Sequence, residues 1–124
     1  VLRFAPTGIQ LDDENFVAPD LFWIRPNSPD CVLKPDQTYW LGIPDLIVAV
    51  MSPATALTDK RDKHRLYERF GLREYWLVAP EGRYVEVFQR ADDSLHHRGV
   101  FGIEDSFHAI TLDAQIDVQS AFMA

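Results

Sequence analysis

Residues 44–55 read PDLIVAVMSPAT, and the run from Asp45 to Met51 decides the architecture. Leu46, Ile47, Val48, Ala49 and Val50 follow one another without a polar break, so an extended segment here needs cover on both faces. That is the pattern of a central strand in a mixed or parallel sheet. Ser52-Pro53 stops it. Residues 56–70, ALTDKRDKHRLYERF, set Leu66, Tyr67 and Phe70 at helical spacing within a polar segment and predict one helix. Thr55 or Thr58 can cap its start, and Gly71 stands where a left-handed C-cap residue belongs. EYWLVA (74–79) is a second buried strand, and Glu81-Gly82 turns it into YVEVFQR (84–90). There Tyr84, Glu86 and Phe88 share one face, with Val85 and Val87 on the other. Strands before and after one helix predict an α/β or α+β domain.

Working outward, residues 1–12 alternate about Thr7-Gly8 and predict an N-terminal hairpin with Leu2, Phe4, Ile9 and Leu11 inward. Residues 15–25 are β-rich, with Pro19 marking a bend or an edge. Residues 26–38 hold Pro26, Pro29 and Pro35 and predict a surface loop. A hairpin-like pair is expected at 95–101 and 107–112, and a short amphipathic helix at about 117–123.

The 124 residues predict a single domain, 1–124. The chain opens at Val1 in strand-like sequence, so a preceding segment is expected to be absent. No apolar run approaches the roughly 20 residues that span a bilayer. The single cysteine, Cys31, excludes an intramolecular disulfide and suits a reducing compartment, so a cytoplasmic protein is expected. The net charge of −7 argues against tight nonspecific binding to a phosphate backbone, although a metal site is itself acidic. Small size, three tryptophans and exposed hairpins predict a homodimer.

Three residues could carry chemistry. Asp45 opens the central strand and shares a face with Ile47, Ala49 and Met51. A carboxylate there either serves a site or bonds to turn amides. Asp20 follows Pro19 as Asp45 follows Pro44, and each begins an apolar run, PDLFWI and PDLIVAV. If the two strands are neighbours, the carboxylates can share a divalent cation; otherwise Pro-Asp is a common turn dipeptide. Lys63 falls on the inner stripe of the helix with Leu66, Tyr67 and Phe70, one turn after Asp59. It either meets the carboxylates near Asp45 or snorkels its ammonium outward. His96 and His97 are adjacent on a strand and face opposite ways, and no zinc-like spacing exists. No Gly-rich phosphate loop, Gly-x-Ser-x-Gly elbow or Cys-His pair is present.

PDLIVAVMSPAT (44–55), DKRDKHRLYERFGLREYWLVAPEGRYVEVF (59–88) and VAPDLFWI (17–24) together resemble the Uma family of the PD-(D/E)XK nuclease superfamily. The resemblance runs from about Phe16 onward. It implies a restriction-endonuclease-like fold, an α/β (α+β) domain with a mixed central sheet flanked by helices, and Mg²⁺-dependent hydrolysis of DNA phosphodiester bonds. It further implies catalytic roles for Asp20, Asp45 and Lys63, with Asp20 and Asp45 holding metal and Lys63 steadying the phosphate. Two departures stand out. The family's glutamate four residues after Asp45 is Ala49, and its Asp-Pro after the EYW strand is Ala79-Pro80. The superfamily's acidic N-terminal helix is expected to lie outside this sequence. An endonuclease with an incomplete site, a catalytically inactive binding or assembly module, and a protein whose Asp and Lys form only an internal ion pair all follow as readings.

Overall fold

A computed structural model describes residues 2–4, 7–34, 39–51 and 56–122, with side chains for all of these except Phe4, residues 56–60 and Ala121. The strands are β1 (Leu2–Phe4), β2 (Gly8–Gln10), β3 (Phe16–Val17), β4 (Leu21–Trp23), β5 (Cys31–Leu33), β6 (Tyr39–Gly42) and β7 (Leu46–Val50). Helix α1 (Ala56–Phe70) follows. Then come β8 (Glu74–Ala79), β9 (Tyr84–Ala91), β10 (Ser94–Gly102), β11 (Ser106–Ala109), β12 (Ala114–Asp117) and helix α2 (Val118–Phe122). One sheet runs β1-β4-β7-β8-β9-β10, a second runs β3-β2-β6-β5, and β11 pairs with β12. Strands β7 and β8 are parallel and joined through α1, while the other neighbours in the large sheet are antiparallel. The mixed central sheet with flanking helices is therefore as expected.

The two-sided apolar pattern has its cause in two cores. On one face of the large sheet, Ile47, Tyr75, Leu77 and Phe88 pack with Tyr67 of α1 and with Ile9, Val17 and Trp40 of the smaller sheet. On the other, Val85 and Val87 pack with Phe107, Ala109 and Val118, with Trp76, Val78 and Phe101 against them. Alternate residues of β8 and β9 thus feed opposite cores. Each fully buried side chain of this size contributes about 1.5–3 kcal/mol, and Phe22, Ile47, Leu72 and Tyr75 are all essentially inaccessible. Helix α1 ends as its sequence implies. Gly71 takes φ +85°, its N–H donates to Glu68 O at 3.2 Å, and the Leu72 N–H donates to Tyr67 O at 3.0 Å. This 5→2 and 6→1 pair satisfies two terminal carbonyls, and a residue with a Cβ would be strained there. Thr55, and the side chains of Thr58 and Asp59, lie outside the described residues.

Several expectations are corrected. The N-terminal hairpin does not form, since β1 pairs with β4 and β2 pairs with β3 and β6 in the other sheet. Ile9 and Leu11 are buried as expected, but Leu2 is exposed. The expected loop at 26–38 contains β5, whose Cys31 is buried beside β6, while residues 35–38 lie outside the described ones. The expected 95–101 and 107–112 pair separates, because β10 is the partner of β9 whereas β11 pairs with β12. Pro19 does mark a bend. Residues Ala18 to Asp20 carry the chain from the smaller sheet into the large one.

Candidate active site

The antiparallel register of β4 on β7 sets the geometry. Leu21 stands opposite Val48 and Trp23 opposite Leu46, so continuing the ladder puts Asp20 beside Ala49 and Asp45 beyond Trp23. Asp20 and Asp45 therefore stand at opposite ends of the strand pair, four residues or about 13 Å apart along β7. That separation exceeds what a single Mg²⁺ can bridge at about 2 Å to each oxygen. The shared metal site expected of Asp20 and Asp45 is overturned by this register.

Asp45 is a structural clamp. It is 5 % exposed, and its Oδ2 accepts the Arg25 N–H at 2.8 Å. Its Oδ1 lies 3.7 Å from the Arg25 guanidinium and 3.8 Å from that of Arg73. Its own N–H donates to Trp23 O and its carbonyl accepts the Glu74 N–H, so one residue ties together the starts of β7 and β8 and the end of β4. Of the two roles open to it, bonding to turn amides is the one observed. Replacing Asp45 with Ala leaves the Arg25 N–H without its acceptor and takes the carboxylate from beside Arg73, while the Arg25 guanidinium keeps Asp30, at a cost of about 2–3 kcal/mol. Asp20→Ala is expected to cost less than about 1 kcal/mol, because Asp20 is exposed. Urea unfolding of the two variants side by side checks the contrast.

Asp20 sits at the other end. Its Oδ2 accepts the Val50 N–H at 2.8 Å, which holds the carboxylate against the last residues of β7. Ala49 beside it is half-buried and packs at the margin of the α1-side core. Helix α1 leads from the end of β7 back to the start of β8, so it begins at this same end, and Ala49 belongs to the core it covers. Tyr67, buried against Tyr75, has its hydroxyl pKa raised, first by burial and then by the negative charge of Asp20. Lys63, half-buried, lies one turn before Tyr67 on the same stripe. It makes no ion pair among the described residues, so the expected pairing with carboxylates beside Asp45 is not present. The structure thus brings Asp20 and Ala49 together beneath the helix that carries Lys63, and takes Asp45 away.

The donor set at this end is short for a metal. Among the described residues no three His, Cys, Asp or Glu side chains are grouped so as to hold an ion, and one oxygen of Asp20 is already engaged. The methyl group of Ala49 contributes nothing. His97 is spent elsewhere, 3.4 Å from Glu86 Oε1 and against the ring of Phe88. Cys31 is no nucleophile. Burial first, then the charges of Asp45 and Asp30, push its thiol up to about 12 from 9.0. A raised folded-state pKa stabilises the fold fully below pH 9, a contribution lost as pH rises toward 12. Native protein is expected to leave Cys31 unmodified by a disulfide reagent at neutral pH, with reaction only after unfolding.

The EYW run is also structural, which its sequence did not disclose. Glu74 is fully buried, and its carboxylate receives four donors. Trp76 Nε1 at 2.9 Å and Gln89 Nε2 at 3.1 Å meet Oε2, while the Thr111 N–H at 3.0 Å and Oγ1 at 2.7 Å meet Oε1. This one side chain fastens the β11–β12 turn to the large sheet.

A family model described as "Uma2: Putative restriction endonuclease" matches residues 2–119. The chain belongs to the Uma2 family. Among solved structures it is similar to a putative nuclease belonging to DUF820 from Anabaena variabilis ATCC 29413, with a TM-score of 0.73 at 16% identity. That match covers 98% of this chain and 66% of the neighbour, so the chain spans just under two thirds of that protein's length. Among curated proteins nothing matches. The nuclease-like fold read from PDLIVAV and EYW is thereby shown for this Uma2 chain. No helix among the described residues is long and apolar enough to cross a membrane.

Proposed function

We propose that this Uma2 domain is a DNA-phosphodiester-binding nuclease domain whose cleavage site, at the end of β7, is disabled at position 49. The alignment of Asp20 with Ala49 under the Lys63-bearing helix carries this reading. In nucleases of this class a divalent cation, usually Mg²⁺, supplies an activated water and a Lewis acid for the phosphate. The side chains described here do not fit such a cation, for want of a second carboxylate beside Asp20. What remains is a half-buried lysine to meet a phosphate and an exposed carboxylate at the mouth of the sheet. Retention of these two favours a second reading, a Mg²⁺-dependent endonuclease that is active as it stands.

Supercoiled plasmid separates the two. With Mg²⁺ present, nicking is expected to stay at the protein-free background. Nicking by the unaltered chain that Lys63→Ala or Asp20→Asn abolishes establishes the second reading instead. The same proposal places one domain, as a homodimer, in the cytoplasm. The apolar Val32 and Leu33 exposed on the edge strand β5 support dimerisation, and the lone buried cysteine suits a reducing compartment. Light scattering is expected to give about 28 kDa, twice the 14.2 kDa chain, and a monomer mass overturns the dimer.

A further inference from the structure

On the face of the large sheet away from Ala49, a cleft of about 400 Å³ opens between β9–β10 and the β11–β12 pair. Its origin is a β-bulge. The register of β10 on β9 runs His97 to Phe88 and then Gly99 to Val87, leaving Arg98 as the extra residue. A bulge of this kind turns two successive residues toward one face, here Arg98 and Gly99 beside Val87. Gly99 has no side chain to fill the space, and a Cβ there would meet the Phe101 ring at 3.2 Å. Bulges and strand glycines recur where a strand must re-aim a side chain or admit a ligand.

The lining has two parts. Val87 and Phe107 underlie the cleft as buried core residues, and the half-buried ring of Phe101, tilted 34° from Phe107 with centroids 5.2 Å apart, is its accessible apolar surface. Arg98 and Gln89 supply polar groups, with His108, whose Nε2 lies 3.3 Å from Asp113 Oδ1, and with Ser106 and Gln115, whose Nε2 donates to Ser106 Oγ. Arg98 is exposed and makes no ion pair among the described residues. Gln89 lines the cleft, is 7 % exposed and spends its Nε2 on Glu74 Oε2 and on His108 O at 2.7 Å, so its Oε1 is the atom left to accept. No Asp or Glu lines the cleft, although the chain carries 19 acidic residues against 12 basic ones. Arg98, the cleft's one Lys or Arg, favours an anion, the ring of Phe101 a flat body, and the glutamine acceptor an N–H on that body.

The geometry points to a binding site for a nucleotide, with the base against Phe101, a base N–H on Gln89 and the phosphate on Arg98. It stands independently of the cleavage site on the opposite face. Two sources share this chemistry, a free mononucleotide and the 5′-phosphorylated end of a DNA strand.

Calorimetric titration of the whole chain with deoxythymidine monophosphate tests it. Sub-millimolar binding is expected, at least about tenfold weaker for thymidine or inorganic phosphate alone. Arg98→Ala is expected to weaken binding about tenfold or more, while Arg83→Ala, an exposed arginine outside the cleft, leaves it unchanged. Circular dichroism confirms that both variants fold. Phosphorylated hexathymidylate that competes in the same Arg98-dependent way identifies a strand end as the ligand, and failure to compete identifies a free nucleotide. No binding of the monophosphate at about 5 mM, or binding indifferent to Arg98→Ala, overturns the site.

Discussion

Ala49→Glu is expected to turn the domain into a Mg²⁺-dependent nickase of supercoiled plasmid, with a rate about a hundredfold or more above that of the unaltered chain. The ladder between β4 and β7 sets residue 49 beside Asp20, so the new carboxylate joins an existing one at the open end of the sheet. Two carboxylates with water and substrate phosphate make an ordinary Mg²⁺ donor set, whereas one does not. Position 49 is half-buried, so the added charge costs about 1–2 kcal/mol in metal-free buffer. Millimolar Mg²⁺ is expected to return part of this, because a ion bound only by the folded state raises its melting temperature. That rise is a readout separate from cleavage. Adding Lys63→Ala to Ala49→Glu is expected to remove the gained activity and leave the Mg²⁺-dependent stabilisation. If Ala49→Glu neither nicks DNA nor responds to Mg²⁺, the end of β7 is not the cleavage site.

Glu74→Ala carries the second large effect, a loss of about 3–5 kcal/mol of stability. Four donors converge on this buried carboxylate, from Trp76, Gln89 and twice from Thr111. Truncation leaves these donors without their shared acceptor at a half-buried seam, and hydrogen bonds to an ionised group are worth more than neutral ones. Glu74→Gln is expected to recover little, since its amide replaces one acceptor oxygen with a further donor among donors. The exposed Glu81→Ala, by contrast, should stay within about 0.5 kcal/mol of the parent. Denaturant melts monitored by tryptophan fluorescence report directly, because Trp76 is one of the four donors. A loss below about 1 kcal/mol for Glu74→Ala contradicts the role given to this network.

Much of the fold was legible because its signals are local. β7, α1, β8 and β9 fall where periodicity and the Gly71 cap put them, since face alternation and helical spacing are properties of neighbouring residues. Pairing is not local. The alternation about Thr7-Gly8 suits a hairpin as well as it suits two strands that part into different sheets, and only Val17 and Trp40 beside Ile9 decide between them. The bulge at Arg98 likewise needs the β9 register, although Gly99 within a strand pattern was its one visible sign.

The candidate site divides in the same way. By itself the sequence determined the buried strands β7 and β8, the helix between them, the membership signalled by PDL and EYW, and the alanine at position 49, where the resemblance implies a glutamate. Only the tertiary structure decided what the two Pro-Asp pairs do. They are alike over three residues, but β4 and β7 run antiparallel, so like positions in the two runs are carried to opposite ends of the pair. Asp45 is consumed by Arg25 and Arg73 as a clamp, and Asp20 is left at the open end beside Ala49. Which carboxylate can meet a substrate depends on strand direction, and strand direction is set by contacts between residues far apart in the chain.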